Sequence, residues 1–225
     1  MNILVVSDIH NDVENLMTFF EKIALMEFDV VVCPGDLTDM TMPKGFDKKD
    51  IAKLIIEELK SLGKPVLVVP GNMDGEIVSL LDQEKVSIHG KGKIVNDVGF
   101  YGFGGAKTPF KTSLEVSEDD VKHGLEKSYA EVKDCKVKVQ VTHSPPLKTN
   151  IDKISSGAHV GSSVVREFIE KNHPSVAISA HIHEARGVDN IDDTILVNSG
   201  RFPEGHCALV SIEDGKVAVK MICLI

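Results

Sequence analysis

Cysteine is scarce and unpatterned: Cys33, Cys135, Cys207 and Cys223 are scattered, with no CxxC spacing among them. Neither a zinc ribbon nor a disulfide framework is suggested, and the thiols read as ordinary core or surface groups. No apolar run approaches the roughly 18 residues that a membrane span needs. The chain opens on the strand-like Ile3 to Val6 rather than on a basic stretch followed by an apolar one. A cytoplasmic location with no membrane partner is therefore expected. Positive charge is also in deficit, 25 Lys+Arg against 34 Asp+Glu, a formal net charge of −9. Lys48-Lys49 and Lys133 to Lys138 are the densest lysine clusters, and Asp and apolar residues interrupt them. Duplex nucleic acid, which needs a basic stripe, is disfavoured as a partner, whereas one nucleotide in a pocket is not. There is no Gly-rich Lys-Ser/Thr phosphate loop.

What is present is the composition of a globular protein, 42% hydrophobic and 26% charged over 225 residues, enough for one α/β domain. Buried runs at Ile3 to Val6, Val30 to Cys33 and Val66 to Val69 alternate with helix-period segments at Asn15 to Phe28 and Asp50 to Leu62. A short helix is expected from Glu76 to Leu81. This alternation predicts right-handed crossovers and a parallel sheet. From Val86 to Gly105 the β-prone pieces are broken by glycines and by Asn96-Asp97, which predicts hairpins instead. Glu118 to Val132 and Ser162 to Glu170 read as helices. Lys136 to Val141, Val176 to Ser179, Thr194 to Val197, Cys207 to Ile212 and Val217 to Leu224 read as strands, the last two joined by a turn at Glu213-Asp214-Gly215. Without a linker or repeat, residues 1–225 are expected to form a single domain.

The ends of the buried runs carry the chemistry. Ile3 to Val6 leads into Ser7-Asp8-Ile9-His10, Val30 to Cys33 into Pro34-Gly35-Asp36, and Val66 to Val69 into Pro70-Gly71-Asn72. Val139 to Val141 leads into Thr142-His143, and Val176 to Ser179 into Ala180-His181-Ile182-His183. In an open α/β sheet the carboxyl ends of strands border the ligand crevice, so these seven polar residues are predicted to converge. Taken singly, each has an ordinary explanation: a helix N-cap for Asp36, a turn residue for Asn72, a loop histidine for His143. Five strand ends together make those explanations poor. Carboxylate, amide and imidazole donors without a thiolate suit Mn²⁺, Fe²⁺, Zn²⁺ or Co²⁺. Seven donors exceed one four-coordinate ion and fit two sharing a carboxylate. Two ions ~3.5–4 Å apart can orient a phosphate, lower the pKa of a bridging water and stabilise a leaving oxygen, which points to phosphoester hydrolysis by a metal-bridging hydroxide.

Asp8-Ile9-His10, Gly35-Asp36-Leu37-Thr38-Asp39, Gly71-Asn72-Met73-Asp74, Thr142-His143 and Ala180-His181-Ile182-His183 resemble, in order, the motifs of the calcineurin-like metallophosphoesterases. The stretch from His159 through Gly161-Ser162 to His181–Gly187 is similar to the small prokaryotic and archaeal Icc-related branch. The resemblance implies a sandwich of two mixed β-sheets flanked by helices, which amends the purely parallel picture. It also implies one metal on Asp8, His10, Asp36 and His183, and a second on Asp36, Asn72, His143 and His181. Asp39 and Asp74 would then orient ligands or loops. Mn²⁺ is the first choice of metal, with Fe, Zn, Ni or Co also compatible.

The family motif is usually Gly-Asn-His-Asp/Glu, and Met73 stands where that His would help protonate a leaving group. Losing a general acid typically reduces rate by about 10²–10⁴-fold when the leaving group needs a proton. Some active members of the family also lack this His and resemble phosphodiesterases, so a small phosphodiester or nucleotide-type substrate is expected. His159 is a candidate replacement from the segment Gly157 to Gly161, and Arg186 and Arg201 are candidate phosphate contacts. The alternative is a catalytically silent scaffold: a retromer subunit with this fold is similar in lacking the motif His and binds proteins. Retention of all seven polar residues argues against it. Exposed apolar faces on the hairpins would support a homodimer.

Overall fold

The computed structural model describes residues 1–225 as two β-sheets packed face to face with helices on both outer sides. One sheet has the order β11-β10-β1-β2-β3 and the other β4-β5-β6-β7-β9-β8. The first comprises β1 (Asn2–Val5), β2 (Val30–Cys33), β3 (Val66–Val68), β10 (His206–Glu213) and β11 (Lys216–Cys223). Within it β1, β2 and β3 run parallel, and β10 lies antiparallel to β1. The second comprises β4 (Lys91–Val95), β5 (Val98–Phe103), β6 (Val137–Thr142), β7 (Val176–Ser179), β8 (Gly187–Ile191) and β9 (Thr194–Asn198). Here β5, β6, β7 and β9 are parallel, with an antiparallel strand at each edge.

Period-two alternation divides each central strand between two cores. Ile3, Val5, Val30 and Val32 meet Phe100, Val139, Val141 and Ile178 between the sheets. Leu4, Val31 and Cys33 face outward, onto Leu16, Phe19 and Ile23 of α1 (Val13–Ala24) and Ile51, Ile55 and Leu59 of α2 (Lys48–Ser61). On the other side Tyr101, Ala177 and Leu196 pack on Val121 and Leu125 of α4 (Glu118–Ala130) and Val165 and Ile169 of α5 (Ser163–Asn172). With both faces covered, these strands must be apolar throughout, which is why they read as unbroken hydrophobic runs.

Departures from the sequence reading are local. The sheets are mixed rather than purely parallel, because the chain returns through β10 and β11 to the open side of β1. The Asn96-Asp97 turn does join β4 to β5, with φ of 47° and 66° as a type I′ hairpin requires. Yet β5 then pairs in parallel with β6. α1 stops at Ala24, four residues short of Phe28, and α3 is confined to Val78–Gln83 after a 3₁₀ turn at Gly75–Ile77. β8 was not expected: Gly-Val-Asp-Asn-Ile is rich in poor strand formers, and only its place at a sheet edge, paired with β9, makes it a strand.

Candidate metal centre

Because β1, β2 and β3 are parallel in one sheet and β6 and β7 in the other, their carboxyl ends emerge along one rim of the sandwich. Backbone pairing continues past the strands: Asp8 N–H donates to Gly35 O, His10 N–H to Asp36 O and Ala180 N–H to His143 O, each at 3.0 to 3.1 Å. Four of the polar residues there hold left-handed backbone, Asp8, His10, Asp36 and His181 with φ of 51°, 49°, 50° and 71°. Such conformations are unfavourable for residues with a side chain and persist where the surroundings enforce them, typically at functional sites. Gly71 is required by close approach, since a Cβ there would lie 2.0 Å from Asp36 Oδ1.

Two groups of donors result. Asp8, His10 and His183 form one, and Asp36, His143 and His181 the other, with the ligand atoms within each group no more than 4.8 Å apart. Asp36 joins them. Its Oδ1 accepts from Met73 N–H at 2.9 Å, while its Oδ2 lies 3.9 Å from His10 Nε2 and 3.5 Å from His143 Nε2. Asn72 adds its amide oxygen, 2.9 Å from His143 Nε2. Asp36, His143 and Asn72 are buried, as is Asp8.

The chemistry of these groups fits divalent cations. Asp8 Oδ2 and His10 Nδ1 are buried with no hydrogen-bond partner, and the Nε2 atoms of His10 and His183 face each other at 3.1 Å. His143 Nδ1 must donate to Pro34 O at 2.8 Å, which aims Nε2 at the oxygens of Asn72 and Asp36. Fixing one ring nitrogen with a backbone carbonyl is how ligating histidines are oriented. Burial disfavours charge on both partners of the central pair, but mutual attraction outweighs it: His143 and His10 draw the Asp36 carboxyl down to about 2, and Asp36 with Asp8 raises His143 to about 9. Burial and the neighbouring His143 push His181 down to about 4, leaving it neutral. A cation bound here would replace the proton on His143.

Asp74 holds the loops that carry these groups. Fully buried, it accepts from Leu37 N–H, Thr38 N–H, Thr38 Oγ1 and Gly71 N–H at 2.8 to 3.1 Å. Asp39 lies 3.6 Å from His10 Nδ1, too far for a hydrogen bond.

His10 and His183 of one group and Asp36 and His181 of the other line a cavity of about 480 Å³, whose walls include Met73, Lys107, Phe110 and Val160. Neither His159 nor Arg186 reaches it. The Asp152 carboxylate, which also accepts from the backbone of Lys148, Thr149 and Gly161, draws His159 Nδ1 to 2.6 Å. His159 is thus held on Asp152, and its neighbour Val160 lines the cavity instead. Arg186 packs on Gly200 and donates to Ile222 O at 3.1 Å, while Arg201 lies 4.0 Å from Glu204. No pattern of residue types in Ala106 to Leu114 marks Lys107 or Phe110; the folding of that segment over the site brings them to the cavity.

Residues 1–185 match the family model described as calcineurin-like phosphoesterase. An uncharacterized protein of Methanocaldococcus jannaschii is 34% identical over 206 residues, covering 88% of this chain and 87% of that one. Among solved structures, TT1561 of Thermus thermophilus superposes with a TM-score of 0.71 at 21% identity over 97% of both chains. A dimetal phosphatase from Danio rerio superposes with a TM-score of 0.61 at 10% identity, covering 100% of this chain and 96% of that one. At these identities the solved structures share the fold.

Proposed function

Because this chain belongs to the calcineurin-like phosphoesterase family, and so to the phosphoric ester hydrolases, we propose that it hydrolyses a small phosphodiester using two divalent cations. Asp8, His10, Asp36 and His183 would hold one, and Asp36, Asn72, His143 and His181 the other. The observation that carries this reading is Asp36 Oδ2, directed at donors of both groups. When bound, two such ions supply Lewis acidity to the phosphoryl oxygens and lower the pKa of a water between them. Oxygen and nitrogen donors without sulfur support Mn²⁺ as the native metal, with Fe, Zn, Ni or Co as alternatives.

The residues around the ions favour a diester. Met73 in the cavity wall can neither donate a proton nor carry charge. Its N–H fixes Asp36 Oδ1, so the residue positions the shared carboxylate through its backbone alone. Glu184, tethered to Ser155, brings negative charge to the same cavity, which disfavours the dianion of a monoester over the monoanion of a diester. Metal-stripped protein resupplied with Mn²⁺ should hydrolyse bis-nitrophenyl phosphate faster than nitrophenyl phosphate. Faster monoester hydrolysis would overturn the diester assignment.

Met73→His restores a proton donor at the cavity. It should raise turnover of alkyl esters, whose leaving group needs protonation, by up to about 10²-fold, while changing nitrophenyl esters little. Equal change for both would show that the missing acid is not what limits the natural sequence.

A further inference from the structure

We propose that residues 106–114 form the substrate-reading wall of the site, with Phe110 as a stacking platform for a nucleobase and Lys107 as the cation that pairs with the phosphate. This rests on the phosphodiesterase reading above and specifies which diester the cavity takes.

The loop is built for this position. Gly105 N–H donates to Pro70 O at 2.8 Å and Leu114 N–H to Asn72 O at 2.9 Å. Gly75 N–H donates to Ser113 Oγ at 3.0 Å. Both ends of the loop are thus fastened to the segment that presents Asn72 and Met73, so its placement over the donor groups follows theirs. Inside the loop Glu115 accepts from Thr108 Oγ1 at 2.9 Å and from Thr112 N–H at 3.1 Å, and Phe110 N–H donates to Thr108 Oγ1 at 3.2 Å. These bonds fold the loop back on itself, and Lys107 and Phe110 line the cavity.

Phe110 is 74% exposed, more than any other aromatic side chain of this protein. A ring held at the wall of a ligand cavity and covered by nothing in the chain is what a flat ligand requires. Lys107 is the one Lys or Arg among the lining residues. Met73, Ile154, Val160 and Ile182 give the cavity its remaining hydrophobic side chains, and its volume of about 480 Å³ suits a ligand of nucleotide size. A metal-held phosphate at the floor, a cation beside it and an aromatic face further out match a nucleoside phosphodiester, in which charge and base are separated by the sugar.

The test is binding of two diesters with poor leaving groups, adenosine 5′-(methyl phosphate) and dimethyl phosphate, to Mn²⁺-loaded protein by calorimetry. Wild type should bind the adenosine ester more tightly. Phe110→Ala should weaken that binding by about 5- to 150-fold, the effect of losing one base stack, and leave dimethyl phosphate unchanged, while Phe110→Tyr retains the preference. Lys107→Ala should weaken both ligands by about 1.4- to 5-fold. Equal affinity of wild type for the two diesters, or an equal effect of Phe110→Ala on both, overturns the proposal. The Phe110 pattern without turnover of any diester would refute the hydrolase reading and leave the wall standing. Turnover with no Phe110 effect would refute the wall alone.

Discussion

Asp36→Ala is expected to remove both metal ions together, and activity with them. Its Oδ2 faces His10 on one side and His143 on the other, so one truncation takes an anionic donor from each group. Losing a residue that merely orients a ligand typically lowers metal affinity or activity by about 10–100-fold. Losing a donor shared by two ions should exceed that, bringing metal content below one ion per chain and turnover to background. His183→Ala is the contrast. That side chain belongs to the group with Asp8 and His10 only, so the variant should keep the ion on the Asp36, His143 and His181 side. Metal analysis of both variants after Mn²⁺ loading separates the two patterns. Two ions per chain in Asp36→Ala would refute the shared-carboxylate arrangement.

Asp74→Ala should destabilise the fold by about 3–5 kcal/mol, because a buried donor left without its partner costs about 1–3 kcal/mol and several are stranded together. The donors are the N–H groups of Leu37, Thr38 and Gly71 and the Thr38 hydroxyl, all meeting one carboxylate that is fully buried. For a chain of this size that corresponds to a fall in Tm of about 6–20 °C. Asp74→Asn should lie between, since its amide keeps an acceptor oxygen but turns an N–H₂ group toward backbone donors. The same loops present Asp36 and Asn72, so metal affinity should fall with stability. A change in Tm below about 2 °C would show that water replaces these hydrogen bonds without loss.

The strand ends were legible because their physics is local. A run buried on both faces must be apolar, so Asp8, Asp36, Asn72, His143, His181 and His183 stand out as abrupt polar residues, and the parallel crossovers put them on one rim. What the sequence does not encode locally is which side chains a distant partner will claim. His159 sits in a glycine-flanked loop near the site, yet Asp152 takes its ring nitrogen. Arg186 follows the donor stretch directly, yet turns to the carbonyl of Ile222 in the opposite sheet. Lys107 and Phe110 lie in a segment without periodicity. Their role comes from hydrogen bonds to Pro70 and Asn72 and from Glu115, none of which a pattern of residue types displays. β8 was hidden for the same reason: its strand character comes from its neighbour β9.

The most direct test of the central claim is a titration of metal-stripped protein with Mn²⁺, in which ions bound per chain and hydrolysis of bis-nitrophenyl phosphate are followed together. Two donor groups sharing Asp36 predict saturation at two ions, with activity rising as the second binds. Saturation at one ion with full activity, or turnover in the absence of any divalent cation, would contradict it.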